Sequence, residues 1–215
     1  MAVLFKNKKI LYDGSEFSFL EKNSIREVSK ENFSFNGGSV EIILTENLYS
    51  FEPLDKKSIE GFTENEILKF IEWKSTSRGE NTPLITYKKL GKTIFSFTFN
   101  GHMELKSIFN GKIKAIKTFS FSVYNFLRKN MEKNSLLLIN YKNLFVFLAI
   151  GEKEPVFLRK KMNLTEEEIE SEAITTIKYV KERFGVQLSS AYSNIPLPFE
   201  KFTLIEKKFL EGILR

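Results

Sequence analysis

Apolar positions are densest over residues 135–160, which read SLLLINYKNLFVFLAIGEKEPVFLRK. Three apolar runs, at 136–139, 144–150 and 156–158, are separated by polar spacers at 140–143 and 151–154. Short runs rich in Leu, Val, Ile and Phe and bounded by turn residues are strands, and spacers this short join them as consecutive hairpins. Residues 144–150 do not alternate with polar positions. That predicts a strand buried on both faces, in mid-sheet with helices on both sides. The period then changes. Ile169, Ala173, Ile177, Val180 and Phe184 fall on one helical stripe, opened by a Thr165–Glu168 capping box and closed by Gly185.

Before this segment the pattern is mostly of period two. Val3 and Phe5, Ile10 and Tyr12, Phe17 and Phe19, Ile25 and Val28, and Phe33 and Phe35 line up along the first stretch, with turns at Asp13-Gly14 and Asn36-Gly37-Gly38. These predict a meander of antiparallel strands, continued at 40–45 and 48–51 and ended by Pro53. A Thr63–Glu66 capping box ahead of Ile67, Leu68, Phe70, Ile71 and Trp73 predicts a helix, followed by a mobile polar loop at 74–81. Strands are predicted at 84–87, 93–99, 103–109 and 113–118, with turns at Gly91, Asn100-Gly101 and Asn110-Gly111. Ser120 or Ser122 then opens a helix expected to bury Phe121, Tyr124, Phe126 and Leu127. Beyond Gly185 the pattern predicts a strand at 186–193, a break at Pro196 and Pro198, and a last helix from Thr203 and Glu206 that buries Leu204, Ile205, Phe209, Leu210 and Ile213. The Phe-Ser-Phe triplet at 17–19, 33–35, 95–97 and 119–121 has no flanking similarity, so it reads as patterning in a Phe-rich chain rather than as a repeat.

Composition removes several classes of chemistry. The absence of Cys excludes thiol catalysis, zinc fingers and iron–sulfur ligation. At 215 residues the chain buries enough surface to fold without a disulfide or metal staple. No apolar run approaches the ~20 residues needed to cross a bilayer, and the first residues lack the apolar core of a signal peptide, so a soluble, cytoplasmic protein is expected. The net charge of +6 is carried mostly by Lys and fits a solvated surface. A nucleic-acid module is an alternative on charge, but Arg is scarce and the aromatics alternate into predicted cores. His102, the one histidine, follows an Asn-Gly turn and is expected to be exposed, without partners for catalysis or metal binding. Glu166, Glu167, Glu168 and Glu170 suit the first turn of a helix through its dipole. Walker A, Rossmann and zinc motifs are all missing.

The order of elements carries a resemblance. A strand at Gly111, Lys112, Ile113, Lys114, Ala115 and Ile116 leads to a Phe-rich helix over 120–128. A strand at 136–140, a returning strand that ends on Arg159 and a long helix over 168–184 follow. This resembles the actin-like (ribonuclease H-like) fold, specifically the PilM-like proteins of type IV pilus assembly and the cytoplasmic L component of type II secretion. The likeness covers nearly the whole chain, by pattern rather than by invariant motifs. It implies an α/β protein of mixed sheets with flanking helices and an inserted β–helix–β subdomain. The first subdomain would start at 1–45, take the insert at 46–110 and resume at 111–134; the second, at 135–215, would lack its upper lobe.

In that family two hairpin turns carrying Asp-x-Gly embrace the nucleotide phosphates. The Asp holds magnesium or orients water, and the Gly lets backbone N–H groups approach without a Cβ in the way. In this chain Asp13 and Gly14 are adjacent, as in a plain hairpin turn. The second turn reads Asn140-Tyr141-Lys142, with neither carboxylate nor glycine, and the family's Gly-Gly adenosine loop would fall at 193–196, where no glycine stands. Asp13, Gly14, Asn140 and Lys142 are thus expected to be a degenerate nucleotide site, with neither ATP nor magnesium as cofactor and no catalysis. The resemblance then implies a scaffold at the inner face of the membrane that holds the cytoplasmic tail of an inner-membrane protein. The tail would lie in a cleft lined by Phe51, Leu54, Phe70 and Trp73, and the oligomeric state stays open. An ATP-binding ATPase of the same machinery is the other alternative.

Overall fold

A computed structural model describes the chain except for residues 1–2, 6–7, 77–82, 91–92, 153 and 207. The polar loop expected over 74–81 therefore lies largely outside the described residues, as do the Gly91 turn and Lys153. The chain divides into two units, Met1–Thr118 with Leu214–Arg215, and Phe119–Ile213.

The first unit contains β1 (Val3–Phe5), β2 (Lys8–Tyr12), β3 (Glu16–Glu21), β4 (Ser24–Ser29), β5 (Phe35–Gly37), β6 (Val40–Leu44), β7 (Tyr49–Pro53), α1 (Glu64–Thr76), β8 (Leu84–Leu90), β9 (Thr93–Phe99), α2 (His102–Ile108) and β10 (Ile113–Thr118). Its main sheet has the order β10-β6-β2-β3-β4. The expected antiparallel meander holds for β2, β3 and β4. It fails at β6, which pairs parallel to β2, and at β5, which pairs parallel to β1. The reason lies in β6, which carries Ile42, Ile43 and Leu44 buried on both faces and so belongs at the centre of a sheet, where a parallel neighbour requires a crossover.

The connection from β6 to its other neighbour, β10, is long. It holds a separate sheet of order β7-β9-β8 with α1 packed on one face. On the other face, Tyr49, Phe51, Phe97 and Phe99 join the aromatic core built on Ile10, Phe17, Phe19 and Phe109. Residues 103–109, expected to be a strand, belong to α2 and its C-terminal end. Leu105 and Phe109, four apart, are both fully buried while Met103 is exposed, which is helical spacing. The Asn100-Gly101 pair, a strong hairpin signal, here leads into that helix instead.

The second unit contains α3 (Phe119–Leu127), β11 (Ser135–Tyr141), β12 (Leu144–Gly151), β13 (Glu154–Met162), α4 (Glu166–Phe184), β14 (Ser190–Ser193), β15 (Phe202–Leu204) and α5 (Phe209–Leu214). The predicted double hairpin is present: β11 and β13 each pair antiparallel with β12, every residue of which is buried. On one face Leu136, Leu138, Phe145 and Phe147 pack with Ile169 and Ala173 of α4. On the other, Tyr141 meets the Phe119 ring of α3 at 5.3 Å between centroids. The α4 capping box forms as expected, and Gly185 takes the left-handed conformation with φ of 67°. Four expectations shift. Ser120 is buried inside α3 rather than capping it, and Phe126 is 49% exposed, lying against the backbone of Gly212. The strand expected at 186–193 is only its last four residues. Thr203 sits in β15 rather than opening a helix, which begins at Phe209.

The sheet order is β13-β12-β11-β14-β15, with β14 parallel to β11 and β15 parallel to β14. The first unit's sheet follows the same plan: three antiparallel strands, then a fourth and fifth added parallel on the far side of the first. The duplication that the Phe-Ser-Phe triplets do not carry is therefore present in topology.

Candidate functional site

The first turn, joining β2 to β3, is closed on itself. Asp13 Oδ1 accepts from Ser15 N at 3.0 Å, Ser15 Oγ at 3.0 Å and Glu16 N at 2.8 Å. This side chain-to-backbone bonding two and three residues on is what makes Asp a turn former. Gly14 has φ of 104°, which a residue with a Cβ adopts only under strain, and a Cβ there would stand 3.0 Å from Leu48 Cδ2. The surroundings brace the turn further. Asn47 Nδ2 donates to Asp13 O at 3.0 Å, Tyr12 Oη donates to Gly14 O at 2.9 Å, and Lys30 N donates to Ser15 O at 2.7 Å. The Lys30 ammonium is engaged with Glu104. Burial raises the Tyr12 phenol above its ordinary pKa, so it stays a neutral donor.

The second turn, joining β11 to β12, has Lys142 and Asn143 both at positive φ, 47° and 65°. Two such residues in succession make the hairpin turn whose twist matches its strands. The exposed Lys142 ammonium lies 5.5 Å from the centre of the Tyr141 ring. The strand end ahead of it is held by a side chain that sequence reasoning missed. Asn194 Oδ1 accepts from Asn140 N at 2.8 Å while Asn194 Nδ2 donates to Asn140 O at 2.7 Å. The segment after β14 is thereby fastened to the end of β11. The signal was faint: a single Asn ahead of Ile195 and Pro196, a residue type common in any loop.

Beside Asn140 the N-terminal end of α4 presents Glu166, Glu167 and Glu170. Thr165 Oγ1 accepts from Glu168 N and the Glu168 carboxylate accepts from Thr165 N at 2.8 Å, so the α4 N-terminus is internally capped. Those bonds hold the Glu168 carboxyl below its ordinary pKa.

No protein-family model matches the sequence, and no curated protein matches it. Solved structures do. A protein of Bacteroides thetaiotaomicron described as having an actin-like ATPase fold and unknown function aligns over 96% of this chain and 94% of its own, with a TM-score of 0.60 at 9% identity. The chain has the actin-like fold. The PilM-PilN type IV pilus biogenesis complex aligns over 88% of this chain and 81% of its own, with a TM-score of 0.59 at 7% identity. The cytoplasmic domain of EpsL, an inner-membrane component of the type II secretion system of Vibrio cholerae, aligns over 93% and 85%, with a TM-score of 0.54 at 10% identity. At these identities the likeness concerns the fold, and what the chain does has to be argued from its own groups.

For a magnesium nucleotide those groups fit poorly. The one carboxylate at either turn, Asp13, is turned into its own loop, the second turn has Asn140 and Lys142 and no carboxylate, and the α4 N-terminus beside Asn140 is capped and acid-lined. Among the described residues no three acidic or imidazole side chains gather as a metal site.

The four residues expected to line a partner cleft do not come together. Leu54 is buried with Ile59, Ile67 and Ile71 under α1. Phe51 lies on the opposite face of the β7-β9-β8 sheet, with its ring centroid 4.4 Å from that of Phe95. Phe70 and Trp73 do meet, at 6.1 Å, and Phe62 extends the group, 6.1 Å from Phe70. Trp73 is 66% exposed and Phe62 41%. His102 is half-buried rather than exposed, with Nδ1 buried and lacking a hydrogen-bond partner.

Proposed function

We propose that the chain is a non-catalytic actin-like scaffold of a pilus or secretion assembly, holding the cytoplasmic part of an inner-membrane partner. The observation that carries this reading is the closure of both turns: Asp13 Oδ1 takes three donors from its own hairpin, and Asn194 occupies both backbone groups of Asn140. Phosphate binding at such turns needs open backbone N–H groups and a free carboxylate for the metal. The pilus and secretion proteins that share the fold support the scaffold class. Among the described residues no helix is long and apolar enough to cross a membrane.

The aromatic row on and before α1, with Phe62 and Trp73 exposed and Phe70 half-buried between them, is the docking point in this reading, replacing the wider cleft that included Phe51 and Leu54. Large exposed aromatics side by side are the usual anchors of an interface. Two measurements test the proposal. Isothermal calorimetry with ATP and magnesium is expected to show no micromolar binding; such binding would overturn the non-catalytic reading. Co-purification with a detergent-solubilised membrane protein encoded beside this one is expected to be lost in Trp73→Ala and kept in Trp73→Phe. Equal recovery with all three proteins would remove the docking point.

A further inference from the structure

In the second unit a cleft of about 710 Å³ opens beside the first turn of α4. Its floor is apolar: Phe145, Ile169 and Leu197 are each more than nine-tenths buried, and Ile195 packs on the same core. Its rim carries Glu166, Glu167 and Glu170, all exposed. None of these three carboxylates takes part in a hydrogen bond or ion pair among the described residues, whereas Glu168 between them is committed to the helix cap. The helix dipole accounts for acids at this position. It does not account for the cleft beneath them, nor for Asn140. Asn140 lines the same cleft, and its Oδ1 is buried without a hydrogen-bond partner. A buried acceptor left without a donor is uncommon and calls for an explanation.

The unpartnered groups exposed on the rim of this cleft are acceptors, three carboxylates, and the buried unpartnered atom of its lining, Asn140 Oδ1, is an acceptor too. An anion would meet like charge, which disfavours nucleotides and nucleic acid. No three of the acids converge on one metal ion. The complementary ligand supplies positive charge, several N–H donors and apolar area. We propose that this cleft binds a basic, apolar peptide segment of a partner protein. A Lys or Arg side chain would donate to the Glu166, Glu167 and Glu170 carboxylates, with a neighbouring apolar side chain seated on Phe145, Ile169 and Leu197. The volume falls within the usual range for ligand clefts, and charge complementarity of this kind sets partner choice. The site is separate from the aromatic row on α1 and does not depend on it.

Fluorescence anisotropy with the labelled peptide acetyl-Leu-Arg-Leu-Arg-Leu-amide tests this on the full chain, with acetyl-Leu-Glu-Leu-Glu-Leu-amide as the charge-reversed control. Saturable binding of the Arg peptide alone is expected, weakening as salt rises. The isosteric triple variant E166Q/E167Q/E170Q leaves the capping box in place and is expected to fold, with a melting temperature only slightly lowered by the loss of charge at the helix N-terminus. It should bind the Arg peptide about tenfold more weakly or worse. Trp73→Ala should bind it as the wild type does, so failure of the α1 docking point and failure of this cleft are read separately. Equal binding of the two peptides, undiminished binding by the triple variant, no saturation at millimolar Arg peptide, or displacement of the peptide by micromolar ATP would each overturn the proposal.

Discussion

Asp13 shows how one residue type serves two chemistries. The same carboxylate that could hold magnesium can satisfy its own turn, and its three short-range bonds place it in the second role. Substitution separates the two. Asp13→Ala removes the accepting oxygens and is expected to lower stability by about 1–2 kcal/mol in urea denaturation, while Asp13→Asn keeps an accepting oxygen and should lower it by less. A metal-binding role would make Asn as harmful as Ala to nucleotide affinity. Asn194 is the matching case in the second unit. Asn194→Ala would leave the N–H and C=O of Asn140 without their protein partners, at a cost of about 1–3 kcal/mol, read in the same way. Asp13-Gly14 was legible as a turn because Gly tolerates φ > 0 and Asp bonds its own backbone. Asn194 was not, because its partner is 54 residues away.

At the scale of elements, the starts of α1 and α4 were legible, whereas Ser120 and Thr203 do not open the helices expected of them. Both capping boxes form: the Thr63 N–H donates to the Glu66 carboxylate at 2.7 Å, and Thr165 and Glu168 repeat the arrangement. Thr165→Ala should lower stability by about 1 kcal/mol. The boxes also set a pH dependence. The Glu66 and Glu168 carboxyls lie below the ordinary value of 4.5 because the backbone N–H, then the hydroxyl, of Thr63 and Thr165 donate to their ionised form. The folded pKa is the lower one, so this stabilisation is fully present above pH 4.5 and is lost as pH falls through the depressed folded values. Urea midpoints measured between pH 6 and 3 should therefore fall more steeply for wild type than for Glu168→Gln. Interior periods were less legible over short stretches. Residues 103–109 carry too few apolar positions to separate period two from period 3.6, and the Asn-Gly pair before them tipped the reading to strand.

For the molecule as a whole, each unit repeats one plan of three antiparallel strands and two parallel additions. Burial follows position in that plan rather than residue type. Phe147, on the central double hairpin, is fully buried; Phe126, on a helix of the same unit, is half-exposed. Phe147→Ala is accordingly expected to cost about 3–5 kcal/mol and Phe126→Ala less than about 1 kcal/mol, measured by chemical denaturation. The sequence pattern assigned both to the interior, since each falls among apolar neighbours at a plausible spacing. The candidate partner site divides in the same way: Phe70 and Trp73 share a surface because they lie three positions apart on one helix, while Phe51 was placed with them only by the resemblance.

The sequence by itself determined the β11–β12–β13 double hairpin, the α1 and α4 helices with their caps, and the lack of a carboxylate at the second turn. Each of these rests on interactions among residues near one another in the chain, where period, turn chemistry and capping leave a direct trace. Only the tertiary structure decided that β6 and β14 enter parallel, that Phe51 lies on the far face of its sheet, that Asn194 grips Asn140, and that three glutamates border an apolar cleft. Those outcomes depend on which distant segments meet, and contacts between distant segments are selected by the packing of the whole fold rather than by any local pattern.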